Sequence, residues 1–284
     1  MGRLDGRVAL ITGAGRGQGR SHALTLAREG ADIIAFDVPD TIASLEYETA
    51  SGADLKETVA GVEALGRRIL AVEGDARSQQ DLDGAVAAGI AELGQVDILV
   101  ANHGVLSIDP FWEMSEQRWT EMLDVNLSGV WRACKAVAPH MISRQRGAIV
   151  MTASINAFET QAGYAHYNAS KAGVFSLMKN VAIELGGYGI RANCVCPGAT
   201  NTRIVDWQGL YDRLLWPGAG AGDLMDATKH WTALRGRKLL DPQSISNAVL
   251  WLVSDEAADV TGVALPVDAG HLILPGYNGT PAEI

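Results

Sequence analysis

Cysteine is scarce in this 284-residue chain, basic residues are outnumbered, and long apolar runs are missing. Three cysteines, Cys134, Cys194 and Cys196, cannot build a disulfide framework, and Cys194 and Cys196 lack metal-site spacing. The six histidines show no ligand spacing either, so no metal is expected. The 23 Lys plus Arg against 33 Asp plus Glu give a net charge of −10 with no basic block, which makes the chain a poor binder of a phosphate backbone; no nucleic-acid partner is expected. No apolar run reaches the roughly 18 to 20 residues of a membrane span. Residues 1–6 are not followed by the apolar stretch of a signal peptide, so the expected location is the cytoplasm, away from membranes. Repeats, low-complexity tracts and linkers are absent too, which leaves one domain over residues 1–284. Hydrophobic residues at 48% and charged residues at 20% suit a folded core and exclude a disordered chain.

What is present is an alternation. Short β-branched runs at 8–12, 32–37, 69–73, 98–102, 148–153 and 191–196 read as strands, with a last one near 264–267. Between them, helical patterns cover 20–29, 54–65, 78–93, 115–142 and 165–185. Asp54 to Glu57 reads as a capping box. Asp241 and Pro242 open a final helix as N-cap and first-turn proline. Strands that alternate with helices of this length need crossover connections, so an α/β doubly wound parallel sheet with both faces covered is predicted. Two connections are too long for ordinary loops: 38–53, and about 197–240, which carries Trp207, Trp216 and Trp231. Ligands of such sheets sit beyond the carboxyl ends of the strands, so the second insert reads as a helical and loop lid.

Glycines crowd the turn from the first strand into the first helix: Gly13, Gly15, Gly17 and Gly19, with Arg16 and Gln18 among them. A tight turn and a helix N-terminus suit the close approach of a diphosphate. No Gly-Lys-Ser/Thr follows, so a triphosphate loop is disfavoured. Asp37 ends the second strand, where a carboxylate bonds the adenosine ribose hydroxyls and repels a 2′-phosphate. Arg16 is the competing signal, because a guanidinium welcomes that phosphate. NAD is expected over NADP.

On a helix, Tyr167 and Lys171 are four residues apart and share one face. A free phenol, with a pKa of about 10, is a weak base at neutrality. An ammonium roughly 4 Å away at an effective dielectric of about 20 supplies around 4 kcal/mol, enough to bring it near 7. Ser154, ending a strand just before this helix, is placed to hydrogen-bond a reacting oxygen. His166 beside Tyr167 points to another side of the helix, so a packing role is expected. No Gly-X-Ser-X-Gly nucleophile turn is present.

The glycine turn, Asn102-His103-Gly104, Asn126, Ser154, the Tyr167 to Lys171 run and Pro197-Gly198 together resemble the short-chain dehydrogenase/reductase family over almost the whole chain. His103 replaces the family's usual alanine, and Asp268-Ala269-Gly270 its double glycine. More finely, the Gly15 to His22 run, the Asp37-Val38-Pro39 insert, Ile245 to Val249 and Leu265 to Gly270 resemble the carveol-dehydrogenase-like, mycofactocin-associated branch, while the stretch Cys196 to Thr202 departs from it. The resemblance implies a Rossmann-type fold and a catalytic set of Asn126, Ser154, Tyr167 and Lys171. Asn126 would hold a water linking Lys171 to solvent. Cofactor contacts are implied for Asp75, Ala76, Asn102, Gly104, Pro197, Gly198, Thr200 and Thr202, besides the glycine turn, Asp37, Tyr167 and Lys171. Asp75 would meet the adenine and Thr202 the nicotinamide carboxamide, and Asn102 would brace the loop backbone. Implied activity is interconversion of a hydrophobic secondary alcohol, such as a cyclic terpenoid, with its ketone. A homotetramer is implied as well. Three alternatives stay open: a carbonyl reductase, a nucleotide-binding sensor, and a protein whose NAD stays bound under the 38–53 insert and passes electrons to a redox partner.

Overall fold

The computed structural model describes residues 2–38, 42 and 44–274. Pro39, in the insert signature, therefore lies outside the described residues. Seven strands form one parallel sheet: β1 Val8–Thr12, β2 Asp32–Asp37, β3 Ile69–Glu73, β4 Ile98–Ala101, β5 Gly147–Thr152, β6 Ile190–Pro197 and β7 Ala264–Val267, in the order β3-β2-β1-β4-β5-β6-β7. Register is continuous across the middle, with Leu10 beside Ile34 on one side and Leu99 on the other. The order reverses between β1 and β4, which opens a crevice at their carboxyl ends.

Nine α-helices are described: α1 Gly17–Arg28, α2 Gly52–Glu63, α3 Gln79–Leu93, α4 Glu116–Leu123, α5 Gly129–Arg144, α6 Ala165–Gly186, α7 Gln208–Leu214, α8 Ala221–Ala227 and α9 Pro242–Val253. Alternate residues of each strand face opposite ways, and in the central strands both faces are buried. Ala9, Ile11, Ile33 and Val150 pack under α1, α2 and α9. Leu10, Ile34, Leu99 and Ile149 pack under α3, α5 and α6. With both faces covered, the strands need no polar alternation, so they read as continuous apolar runs such as Val8–Thr12.

The structure departs from the sequence pattern in three places. The helix expected over 115–142 is divided by a wide π turn, Asp124–Ser128. The capping box of α2 belongs to Ser51 and Asp54, not to Asp54 and Glu57: Ser51 Oγ accepts from the Asp54 N–H at 3.2 Å, and Asp54 Oδ2 accepts from the Ser51 N–H at 2.9 Å. Ala269, standing where the resemblance implies glycine, takes a left-handed φ of 52°. Between β6 and α9 the chain forms a short turn, Arg203–Val205, then α7 and α8, with Leu210, Tyr211 and Leu224 turned into an apolar cluster of their own.

Candidate active site

A cavity of about 1130 Å³ opens beyond the carboxyl ends of the strands. One end of it is lined by the glycine turn. Gly13 has a φ of +68°, and a Cβ there would lie 2.8 Å from His103 Cα. A Cβ on Gly19 would lie 1.8 Å from the Gly13 carbonyl oxygen. Both positions therefore require glycine, and Gly19 supports the turn from behind without lining the cavity. Asn102 fixes the same turn, donating from Nδ2 to the carbonyls of Thr12 at 3.2 Å and Gly13 at 3.3 Å. That is the bracing expected of it.

Asp37 closes β2 with one carboxylate oxygen accepting from Gly15 N–H at 2.6 Å and the other from Val38 N–H at 2.8 Å. Burial raises its pKa, against the pull of those two hydrogen bonds and of Arg16. Arg16 also lines the cavity, but its guanidinium donates to the Glu48 carbonyl. Asp75 lies in the wall with its carboxylate engaged by Arg77, Nη2 to Oδ2 at 2.6 Å. Burial would push its pKa up, but the Arg77 bonds and charge outweigh it and hold the carboxyl low. Ala76, Gly104, Pro197, Gly198 and Thr200 line the same cavity.

Ser154, Tyr167 and Lys171 meet at its floor. Ser154 leaves β5 and donates to Asn156 Oδ1 at 3.2 Å. Tyr167 and Lys171 rise from the start of α6, one turn apart. The Lys171 ammonium donates to the Thr152 carbonyl at 2.9 Å and stands 5.7 Å from the Tyr167 ring centre. Burial lowers the Lys171 pKa to about 8. The phenol is raised, not lowered: burial pushes Tyr167 up and the neighbouring Ser154 hydroxyl pulls the other way. The lowering expected from the Lys171 ammonium is therefore not found: burial dominates at the phenol, and the ammonium is anchored on Thr152 O.

Asn126 is fully buried in the π turn and does not line the cavity. Its amide is spent within the protein, with Oδ1 accepting from Val105 N–H and Nδ2 donating to Val105 O, both at 2.8 Å, and Nδ2 donating also to Met122 Sδ at 3.0 Å. Gly104 separates it from Lys171, since a Cβ there would lie 3.4 Å from both Asn126 Oδ1 and Lys171 Nζ. His166 donates to or accepts from Ser107 Oγ at 2.7 Å, away from the cavity, as a packing role requires.

The residues present fit a dinucleotide. Gln18 Oε1 and Thr202 Oγ1 are buried at this cavity without a partner among the described residues. Gly17, at φ +54°, leaves Thr202 room, its Cβ position lying 3.2 Å from Thr202 Cγ2. Opposite, an apolar cage of Leu106, Tyr164, Leu210 and Leu224 closes round Tyr167. Three lining residues had no signal of their own in the sequence: Tyr47, Tyr164, and His271, whose Nε2 lies 2.9 Å from Glu159. Tyr47 was visible only as an aromatic residue within an over-long connection. Among the described residues no group of three or more His, Cys, Asp or Glu is placed to hold a metal ion, and no helix is long and apolar enough to cross a membrane.

Residues 7–209 match the family model of the short chain dehydrogenases. The chain is 38% identical to the (−)-trans-carveol dehydrogenase of Rhodococcus erythropolis over 95% of its length and 99% of that protein's. Among solved structures it resembles carveol dehydrogenase from Mycobacterium avium in complex with NAD, at a TM-score of 0.93 and 42% identity, covering 96% of this chain and 100% of that one. A short chain dehydrogenase from Mycobacterium paratuberculosis bound to NAD is similar at a TM-score of 0.86 and 39% identity, again over 96% and 100%. By fold, cleft and sequence, this chain belongs to the short-chain dehydrogenase/reductase family.

Proposed function

We propose that this NAD-dependent dehydrogenase oxidises a hydrophobic secondary alcohol to its ketone, a cyclic terpenoid alcohol of the carveol kind being the best fit. The observation that carries this reading is the meeting of Ser154, Tyr167 and Lys171 at the base of an apolar cage, beside a glycine turn and Asp37. Gly13, Gly17, Gln18, Asp37, Asn102 and Thr202 would hold the cofactor, with Arg16, Asp75, Ala76, Gly104, Pro197, Gly198 and Thr200 in the surrounding wall. NAD supplies the acceptor for the hydride leaving the carbinol carbon. Tyr167 takes the hydroxyl proton, so the alcohol loses one hydride and one proton and becomes a ketone. Ser154 orients the oxygen and stabilises the charge that develops on it. Lys171, fixed on Thr152 O, places a positive charge near the phenol below its own pKa of about 8. Asn126 acts on this set through the backbone of Val105 and Gly104. The segment of α7 and α8 serves as the lid that keeps water from the reacting carbon.

In Tyr167→Phe, turnover of trans-carveol should fall by at least about a thousandfold, while NAD binding by calorimetry stays within a small factor. Full turnover in that variant would overturn the mechanism.

A second reading is favoured by the bond from Arg16 to the Glu48 carbonyl, which ties the connection before α2 to the glycine turn. There the cofactor stays bound through turnover and a redox partner removes its electrons. Near-stoichiometric nucleotide released on denaturing the extensively dialysed protein would support this reading, and an empty site would refute it. A pool of reduced cofactor would run the same site as a carbonyl reductase. We also infer a homotetramer, supported by the length of α5 and α6 and by exposed Trp131 and Ile183 on them.

A further inference from the structure

We propose that Tyr47, carried by the connection between β2 and α2, is a specificity-determining residue of the substrate pocket, and that Glu46 beside it clasps that connection to the lid. A connection leaving the end of β2 is expected to stay near the adenosine end of the cleft. Among its described residues, Tyr47 instead reaches Leu106 and Trp207. The phenol oxygen of Tyr47 accepts from the Leu106 N–H at 2.9 Å. Its ring stacks on Trp207, with centres 5.5 Å apart and planes 27° from parallel. It thereby joins the apolar cluster of Leu106, Tyr164 and Leu210 that surrounds Tyr167.

The neighbouring carboxylate fastens it from outside. Glu46 accepts from Arg213 on α7 at 2.9 and 3.0 Å and from Arg118 on α4 at 3.2 Å. Arg118 in turn holds Asp109, which follows β4, at 2.7 and 2.8 Å. Partly exposed ion pairs stabilise little singly, but a carboxylate shared by two guanidiniums fixes geometry. Glu46 therefore joins three segments: the β2–α2 connection, the start of α4 and the lid.

Two consequences follow from ring packing and from the clasp. Removing the ring at position 47 enlarges the pocket beside Leu106 and Trp207, so the preference moves toward bulkier alcohols. Losing the ring or the clasp loosens α7. The kinetic arm rests on the secondary-alcohol reading; the structural arm does not.

The test uses the protein as purified, with its cofactor, and the variants Tyr47→Ala, Tyr47→Phe and Glu46→Gln. Cyclohexanol, trans-carveol and borneol form a series of rising bulk. In Tyr47→Ala the ratio of kcat/KM for borneol to that for cyclohexanol should rise about tenfold, chiefly through KM. Tyr47→Phe, which keeps the ring, should restore the wild-type ranking. Amide hydrogen exchange over residues 204–215 should quicken by about fivefold or more in Tyr47→Ala and Glu46→Gln. An unchanged size ratio in Tyr47→Ala overturns the specificity role. Unchanged exchange in Glu46→Gln overturns the clasp. If the wild type oxidises none of the three alcohols, the activity assignment is at fault, and the exchange measurement still decides whether position 47 and Glu46 hold the lid.

Discussion

Tyr167 experiences opposing influences. Burial raises its phenol, while the Ser154 hydroxyl lowers it. A base whose proton is held above the neutral range works best in alkaline solution. Carveol oxidation should therefore rise with pH from 6 to 9, and reduction of the ketone, which needs the protonated phenol, should fall over the same range. Rate profiles in both directions check this; an oxidation rate flat from pH 6 to 9 would mean the phenol is already ionised near neutrality. Lys171, at about 8, loses its charge within that span, so the oxidation profile should level off instead of climbing without limit. Ala269 is a second residue with a distinct prediction. Its left-handed φ of 52° strains a side chain that glycine lacks. After the entropy cost of glycine, Ala269→Gly should gain roughly 0.5 kcal/mol, read as a slightly higher melting temperature.

The glycine turn is where a single methyl group matters most. In Gly19→Ala the new Cβ has nowhere to go but into the Gly13 carbonyl, so NAD affinity should drop by at least about a hundredfold, measured by calorimetry on folded protein. The turn, the strands and the face shared by Tyr167 and Lys171 were readable in advance because each depends on local pattern. Val8–Thr12 lies between Gly6 and Gly13, Asp32–Asp37 follows Gly30, and Tyr167 and Lys171 need only a helix to share a face. What was not readable depends on partners distant in sequence. Nothing near Lys171 announces that Thr152 will hold its ammonium. The Arg77 beside Asp75 could equally have faced solvent, yet it occupies the carboxylate expected to meet adenine. The π turn at Asp124–Ser128 was hidden by a helical periodicity that continues through it. Asn126 explains that turn, since its buried amide must satisfy both the N–H and C=O of Val105.

For the molecule as a whole, the buried histidines set the acid limit. His22, held by Ser246 Oγ at 2.8 Å, and His103, against Thr12 Oγ1 at 2.6 Å, are lowered to about 4, each chiefly by burial. Their unfolded value is 6.5, so the unfolded chain takes up protons first as pH falls. Stability is thus intact above pH 6.5 and declines between 6.5 and about 4, by about 3 kcal/mol for each ring. Melting temperatures at pH 7 and pH 5 should show the loss; His22→Gln should lessen it. His271 acts with opposite sign, because Glu159 raises it, so its contribution is present in acid and fades above its raised pKa.

The uninterrupted sheet carries a kinetic consequence. Seven strands bonded edge to edge across the crevice leave no hinge about which two halves could swing. Molecules must enter and leave through loop rearrangement, on a microsecond to millisecond scale, without domain closure. Residence time then becomes a property that the connections can tune by a few side chains, while the scaffold beneath them stays as it is.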